Sequence, residues 1–181
     1  MQTPLVVPDA SVLLKWVLPS EDEPDADRAL ILRTAILDEA VHAILPALWL
    51  YEVGNTVARR FPTHASGWLS ALIKFGIEEV LPSSVWLAKT LELTSRYEVS
   101  FYDAAYHALA LIHNGLFVTA DTRYVDRVAE SGSVIALRDW QPPRTPSSRR
   151  RREGCPTLWV PAVFTSRMEM SRLLRPHSNR C

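Results

Sequence analysis

Leu5-Val6-Val7-Pro8-Asp9-Ala10-Ser11-Val12-Leu13-Leu14 is the stretch from which the fold of this 181-residue chain can be read. An apolar run as short as Leu5 to Pro8 suits a buried strand, and the apolar spacing beyond Asp9 suits a helix. The order recurs at Leu116-Phe117-Val118-Thr119-Ala120-Asp121, where a second short apolar run stops at an acid ahead of Thr122. Working outward from these two stretches, the pattern predicts strands near 4–8, 42–45, 78–81, 116–119 and 133–137. Between them it predicts helices near 11–18, 24–40, 47–61, 64–76, 84–97, 102–114 and 122–130. Short β-type runs alternating with longer helical ones argue for an α/β domain with a largely parallel sheet.

Several boundaries have local chemistry behind them. Pro46 stands ahead of the third helix, and Ser100-Phe101-Tyr102-Asp103 matches a capping box that opens the sixth. Gly115 is expected to end that helix. Glu23-Pro24-Asp25-Ala26-Asp27 loads acids into a first helical turn, with Ala29, Leu30, Leu32, Ile36, Leu37 and Ala40 as the buried stripe behind it.

The formal net charge of zero hides an asymmetry: residues 1–140 hold 18 Asp and Glu against 11 Lys and Arg, and residues 141–181 hold 2 against 9. The character of the chain changes after Trp140, where Gln141-Pro142-Pro143-Arg144-Thr145-Pro146-Ser147-Ser148 reads as a linker and Arg149 to Arg152 as a run of like charge. Residues 1–140 are therefore expected to form the folded domain. Residues 141–181 are expected to be a largely disordered Pro/Arg-rich tail, with at best a short amphipathic helix near 164–174. Both cysteines, Cys155 and Cys181, fall in that tail, which excludes a disulfide or thiolate framework for residues 1–140. No stretch approaches the roughly 18 consecutive apolar residues of a membrane span, and the start of the chain lacks a signal-type pattern. The expectation is a soluble, cytoplasmic protein with no membrane partner.

Four acids stand out by position. Asp9 and Asp121 follow the first and fourth strands, Asp103 lies at the start of the sixth helix, and Glu52 is expected in the second turn of the third, beside Asn55 and Thr56 on a polar strip. In a parallel α/β sheet ligands bind outside the carboxyl ends of the strands. Carboxylates gathered there repel one another unless a cation or shared protons hold them. Hard oxygen ligands suit Mg2+ or Mn2+, and a bound ion of that kind activates water and offsets phosphodiester charge, giving hydrolysis without a covalent intermediate. Helix N-termini beneath Asp9, Asp103 and Asp121 should help keep those acids ionised. Helix capping is the competing account of the same three residues. Glu52 escapes it, being too deep in its helix to cap.

These residues carry a resemblance. Val7-Pro8-Asp9-Ala10-Ser11-Val12, Glu52-Val53-Gly54-Asn55, Tyr102-Asp103-Ala104-Ala105-Tyr106 and Val118-Thr119-Ala120-Asp121-Thr122-Arg123-Tyr124 stand in the order and spacing of the PIN-domain nucleases, so that residues 4–140 resemble the VapC-type toxins of toxin–antitoxin pairs. Each motif is commonplace alone; four in register are specific. The resemblance implies a PIN-like three-layer fold with a five-stranded parallel sheet, and a Mg2+-dependent endoribonuclease in which Mn2+ can substitute. It implies Asp9, Glu52, Asp103 and Asp121 as metal-binding and catalytic acids, and Thr119 and Ser11 as hydroxyls that orient them or a water. Asn55 is implied as the partner of Glu52. RNA substrate, a cognate antitoxin that places a basic side chain in the acidic pocket, and a homodimer complete the implied picture. The tail departs from the family, whose members usually end near the position of Trp140.

Two other readings stay open at this point. One is a catalytically idle PIN-like binding module whose acids only cap helices. The other is a haloacid-dehalogenase-type phosphatase, which wants a second Asp where this chain has Ser11. Of the remaining residues, Asp126 could be an auxiliary acid through water or an exposed helix acid beside Arg123 and Arg127. His107 and His113 suggest a His-assisted site less readily than packing or surface roles. Trp16, Trp49, Trp68 and Trp86 fit core or dimer packing better than base stacking. Lys15, Arg59 and Arg60 are candidates to touch RNA, and Arg149 to Arg152 could bind phosphates loosely or simply be solvated.

Overall fold

The computed structural model describes residues 3–19 and 23–143. Five strands, β1 (Leu5–Pro8), β2 (His42–Pro46), β3 (Glu78–Val80), β4 (Leu116–Thr119) and β5 (Val134–Ala136), form one parallel sheet in the order β3-β2-β1-β4-β5. Seven helices flank it among the described residues: α1 (Ala10–Lys15), α2 (Ala26–Leu37), α3 (Trp49–Arg60), α4 (Ala65–Lys74), α5 (Ser84–Tyr97), α6 (Phe101–Ile112) and α7 (Thr122–Arg127). This is the expected α/β architecture, each element lying within a few residues of its predicted place. The Arg149–Arg152 run, the helix expected near 164–174 and both cysteines lie outside the described residues.

Burial explains why β1 is central. Val6 and Val7 are fully enclosed, with β2 on one side and β4 on the other. Pro8 and Pro46 close β1 and β2, the position where a missing N–H interrupts the ladder least. Pro46 was expected to open α3; it ends β2 instead, and Ala47-Leu48 form the turn between. The outer strand β3 guards its free edge with exposed Glu78 and Glu79, charges that discourage another strand from pairing.

Behind the sheet, α6 buries the continuous run Ala104 to Ala110. Its small alanines let the helix lie close to β4, where the Phe117 ring sits 6.0 Å from Tyr106, 5.7 Å from His107 and 5.5 Å from Tyr124. His107 has no exposed surface, and its two nitrogens are engaged by Tyr124 Oη and the Gly132 carbonyl. Burial pushes its pKa down. Packing, not metal binding, is its role here.

The four tryptophans expected in helices are all buried, Trp16 in the turn just after α1, and three of them donate their indole N–H within the fold: Trp16 to the Ala29 carbonyl, Trp49 to Glu79 and Trp86 to the Ala105 carbonyl. Helix α2 departs from expectation at both ends. Only Asp27 of its acids lies in the first turn, because Asp25 adopts a left-handed φ of 57° just outside it. Leu37, expected in the buried stripe, is exposed because the helix ends there.

The end of α6 holds another correction. Asn114 (φ 52°) makes the left-handed turn that Gly115 was expected to make. Gly115 is needed for space: a Cβ there would stand 2.1 Å from Leu5 Cδ2 and 3.1 Å from the Leu5 carbonyl oxygen. The side chain can rotate away, but the carbonyl belongs to the start of the central strand. Gly115→Ala should therefore lower stability by about 1–3 kcal/mol, read as a drop in urea midpoint at constant m-value. An unchanged midpoint would show that the β1 start can yield.

Candidate active site

The strand order places a switch point between β1 and β4: the chain leaves β1 toward β2 and β3, then returns to lay β4 against the other side of β1. A crevice forms beyond the carboxyl ends of two such strands. Asp9 follows β1, and its backbone N–H continues the ladder to the Val118 carbonyl at 2.9 Å. Asp121 follows β4. Helices α1 and α7 begin at these two acids, and Asp103 and Glu52 lie in the first turns of α6 and α3. Glu52 had been expected one turn deeper; the later start of α3 accounts for the difference.

Asp9 is not a helix cap in the chemical sense. It occupies the N-cap position of α1, yet its side chain makes no capping bond to that helix's start. Instead Oδ2 accepts from Ser11 Oγ at 2.5 Å and from Thr119 Oγ1 at 2.8 Å. Both hydroxyls are themselves acceptors, Ser11 from the Ala120 N–H and Thr119 from the Asp121 N–H. Each hydroxyl's lone pair is thus engaged by the backbone, which leaves its proton for Asp9. The other oxygen, Oδ1, is buried and has no hydrogen-bond partner among the described residues.

The other acids are held differently. Glu52 Oε2 accepts from Tyr106 Oη at 3.1 Å, while Asn55, expected to partner it, is exposed and is not in that contact. Asp121 caps α7, accepting from the N–H groups of Arg123 and Tyr124, so its capping role is realised. The expected capping box of α6 is half formed: the Asp103 N–H donates to Ser100 Oγ, but the Asp103 carboxylate takes the Ser100 hydroxyl at 2.6 Å in place of the Ser100 backbone N–H.

The carboxylates feel one another. Asp9 is raised above its ordinary pKa first by burial and, more weakly, by the charge of Asp103, against the lowering bonds from Ser11 and Thr119. Asp103 is raised by burial and by Asp121. Glu52 is pushed up to about 7 by burial, then by Asp9 and Asp103, with the Tyr106 bond acting the other way. Helix N-termini were expected to favour the ionised forms of Asp9 and Asp103; loss of water outweighs them.

A cavity of about 200 Å³ adjoins this group, lined by Asp103, Asp121, Ser100, Arg123 and Arg127 among others. These two arginines, one helical turn apart on α7, were missed as site residues from sequence, though their spacing directly after Asp121 was the available signal. Tyr106 was missed likewise, three residues beyond Asp103. Lys15, by contrast, is buried and paired with Glu23 at 3.0 Å, so its charge is used inside the fold. Asp126 is exposed. Tyr51 and Tyr102, beside Glu52 and Asp103 in sequence, are also exposed. A larger concavity of about 890 Å³, lined by His42, Glu78 and His113, lies at the opposite edge of the sheet and includes none of the four acids.

Burial of these acids, added to by their mutual repulsion, has a measurable consequence. Because Glu52 titrates near 7 in the fold against an ordinary 4.5, the folded state keeps a proton that the unfolded chain gives up. This contribution is complete below the lower value and fades as pH rises through the upper one, and Asp9 and Asp103 add to it with the same sign. In chelator the melting temperature should therefore fall as pH is raised from about 4.5 to about 7, with a smaller fall in Glu52→Gln. A flat profile would mean that neither burial nor mutual repulsion raises these acids.

Comparison with known proteins agrees with this geometry. The PIN domain family model matches residues 6–131. No curated protein sequence matches the chain significantly. Among solved structures, a toxin–antitoxin complex from Klebsiella pneumoniae aligns at 17% identity and TM-score 0.53, covering 73% of this chain and 97% of that one. FitAcB from Neisseria gonorrhoeae aligns at 17% identity and TM-score 0.56, covering 75% and 99%. Mycobacterium tuberculosis VapC20, a toxin that cleaves the sarcin–ricin loop, aligns at 13% identity and TM-score 0.53, covering 69% and 94%. At these identities the structures speak for the fold alone. The family rests on the match over residues 6–131, more than half of the chain: this protein belongs to the PIN domain family.

Proposed function

We propose that this chain is a VapC-type endoribonuclease, the toxin of a type II toxin–antitoxin pair, hydrolysing RNA phosphodiester bonds with Mg2+ or, in its place, Mn2+. The observation that carries the reading is Asp9: a buried carboxylate with one oxygen fixed by two hydroxyls and the other without a partner, electrostatically coupled to Glu52 and Asp103. The bonds at Oδ2 serve the fold, but none of them needs Oδ1 to be buried without a partner, and a hard cation satisfies that oxygen. The donors are all oxygens, as Mg2+ prefers. Among the described residues no three His, Cys, Asp or Glu side chains stand close enough to enclose an ion by themselves. That spread suits an ion that commonly keeps several waters and takes one or two carboxylates directly.

On this reading Asp9, Asp103 and Asp121 would hold the cation directly or through water, and Glu52 would complete the set. When bound, the cation lowers the pKa of a coordinated water and offsets the charge of the scissile phosphodiester. Glu52 could instead position the attacking water. Ser11 and Thr119 keep Asp9 pointed and hydrogen-bonded at Oδ2, and Tyr106 does the same for Glu52. Asn55, exposed on the next turn of α3, would join only through water. No side-chain nucleophile is required.

An antitoxin that sets a basic side chain among these acids would silence the enzyme by neutralising the same charge. The toxin–antitoxin complex from Klebsiella pneumoniae, similar in fold, supports such a partner. A homodimer rests on the family resemblance, and a cytoplasmic setting on that resemblance together with the lack, among the described residues, of a helix long and apolar enough to cross a membrane. An idle PIN-like binding module is the second reading, favoured by Asp103 and Asp121 each meeting the needs of a helix start. It leaves Asp9 unexplained.

The test is cleavage of a pool of structured and single-stranded RNAs by the full chain, with Mg2+ or Mn2+ against chelator. Cutting should need the metal and vanish in Asp9→Asn and Asp121→Asn. Thr119→Val, which removes one of the two bonds to Asp9, should lower activity by about 10- to 100-fold. Metal binding absent in every form, with the fold intact and no RNA cut, would favour the idle module.

A further inference from the structure

We propose that Arg123 and Arg127 form a phosphate-binding wall beside the acidic centre, holding a phosphate of the RNA strand adjacent to the one that is cut. The inference rests on the nuclease reading above and adds to it a site and a direction for the substrate strand.

The cavity of about 200 Å³ has Asp103 and Asp121 among its lining and both guanidinium-bearing residues of α7 with them. Residues four apart on a helix present neighbouring side chains, with Cβ atoms roughly 5–6 Å apart, a spacing that can bracket one phosphate. The Arg127 guanidinium is anchored, Nη1 donating to the Glu98 carbonyl at 3.0 Å, which fixes its position while leaving other N–H groups to bind. Arg123 lies exposed at the mouth.

Arginines so close to acids ordinarily pair with them. Here, among the described residues, the ion pairs are Lys15–Glu23, His42–Glu78, Lys89–Glu92 and Arg138–Asp139, and neither α7 arginine belongs to one. Asp121 Oδ1 is committed to the first N–H groups of α7 and Asp103 Oδ2 to Ser100, and neither acid pairs with the guanidiniums that share their cavity. Two forked donors left unpaired beside a candidate hydrolytic centre fit a tetrahedral oxyanion, which a planar guanidinium can meet with two parallel bonds. Glu98 adds a third acid to the lining, which makes the formal charge of the cavity −1. A divalent cation on the carboxylates reverses that sign, so the phosphate would be accepted only by the loaded site.

The experiment is fluorescence anisotropy of a fluorescein-labelled single-stranded oligoribonucleotide with the full chain, native at all four acids, with Ca2+ in place of Mg2+ to load the carboxylates, across a salt series. Adding Arg123→Ala should weaken binding several-fold and reduce the slope of log K against log salt by about 0.7, the loss of one phosphate contact on a single strand. Arg123→Lys should restore the slope but not the full affinity, since it returns the charge without the fork. Lys74→Ala removes a charge beside Phe75 and Gly76, which line the concavity at the opposite edge, and should leave both unchanged. A wild-type slope in Arg123→Ala, from a protein that still cuts RNA with its native residues, overturns the phosphate wall and leaves the nuclease standing. If the native chain neither binds nor cuts RNA, the nuclease reading falls and this one with it.

Discussion

A carboxylate enclosed at the end of the central strand is the constraint on which the rest of this molecule turns. Removing Asp9 from water is unfavourable, and its position is tolerable because two hydroxyls donate to it. Those hydroxyls are in turn polarised by the N–H groups of residues 120 and 121, so that the bonds form a chain rather than a pair. The network fastens the ends of β1 and β4 together and sets the turn between β4 and α7. From that turn follow the place of Asp121, the start of α7 and the positions of Arg123 and Arg127. A change at Ser11 or Thr119 therefore reaches the acids, the turn and the arginines together.

Two demands are met by the same side chains. Asp121 satisfies open N–H groups at the start of α7, and Asp103 holds the hydroxyl of Ser100, the residue that caps α6, so both are fixed at the edge where acids accumulate. Asp9 and Glu52 give no comparable service to the backbone; their bonds come from the side chains of Ser11, Thr119 and Tyr106. The charge repulsion at this edge is offset elsewhere in the fold, chiefly where α6 buries Ala104 to Ala110 against β4 and the Phe117 cluster.

The architecture could be read from the chain because strand and helix periods differ and because punctuation such as Ser100, Asp103 and Pro46 falls at the boundaries. Local pattern could not tell which of two adjacent residues makes a turn and which makes room: Asn114 turns and Gly115 gives space to Leu5, a contact between positions 110 residues apart in the chain. The four acids were legible as singular placements after strands or at helix starts. Their partners were less so. Ser11 stands two residues from the acid it serves, whereas Thr119 reaches Asp9 and Tyr106 reaches Glu52 across the fold, and Asn55, near in sequence to Glu52, does not. Lys15 misled because an exposed-looking cation on a short helix proved to be sealed against Glu23.

The acids at this edge come from four separate passes of the chain, at positions 9, 52, 103 and 121. Asp9 loses one of its two donors until β4 is laid beside β1, and Asp121 has no fixed place before then. During synthesis the amino-terminal two-thirds of the polypeptide can emerge from the ribosome, even compact in part, without presenting the assembled centre. On the nuclease reading proposed above, the chain would thereby be harmless to the translation apparatus that is making it until its last central strand has been threaded home.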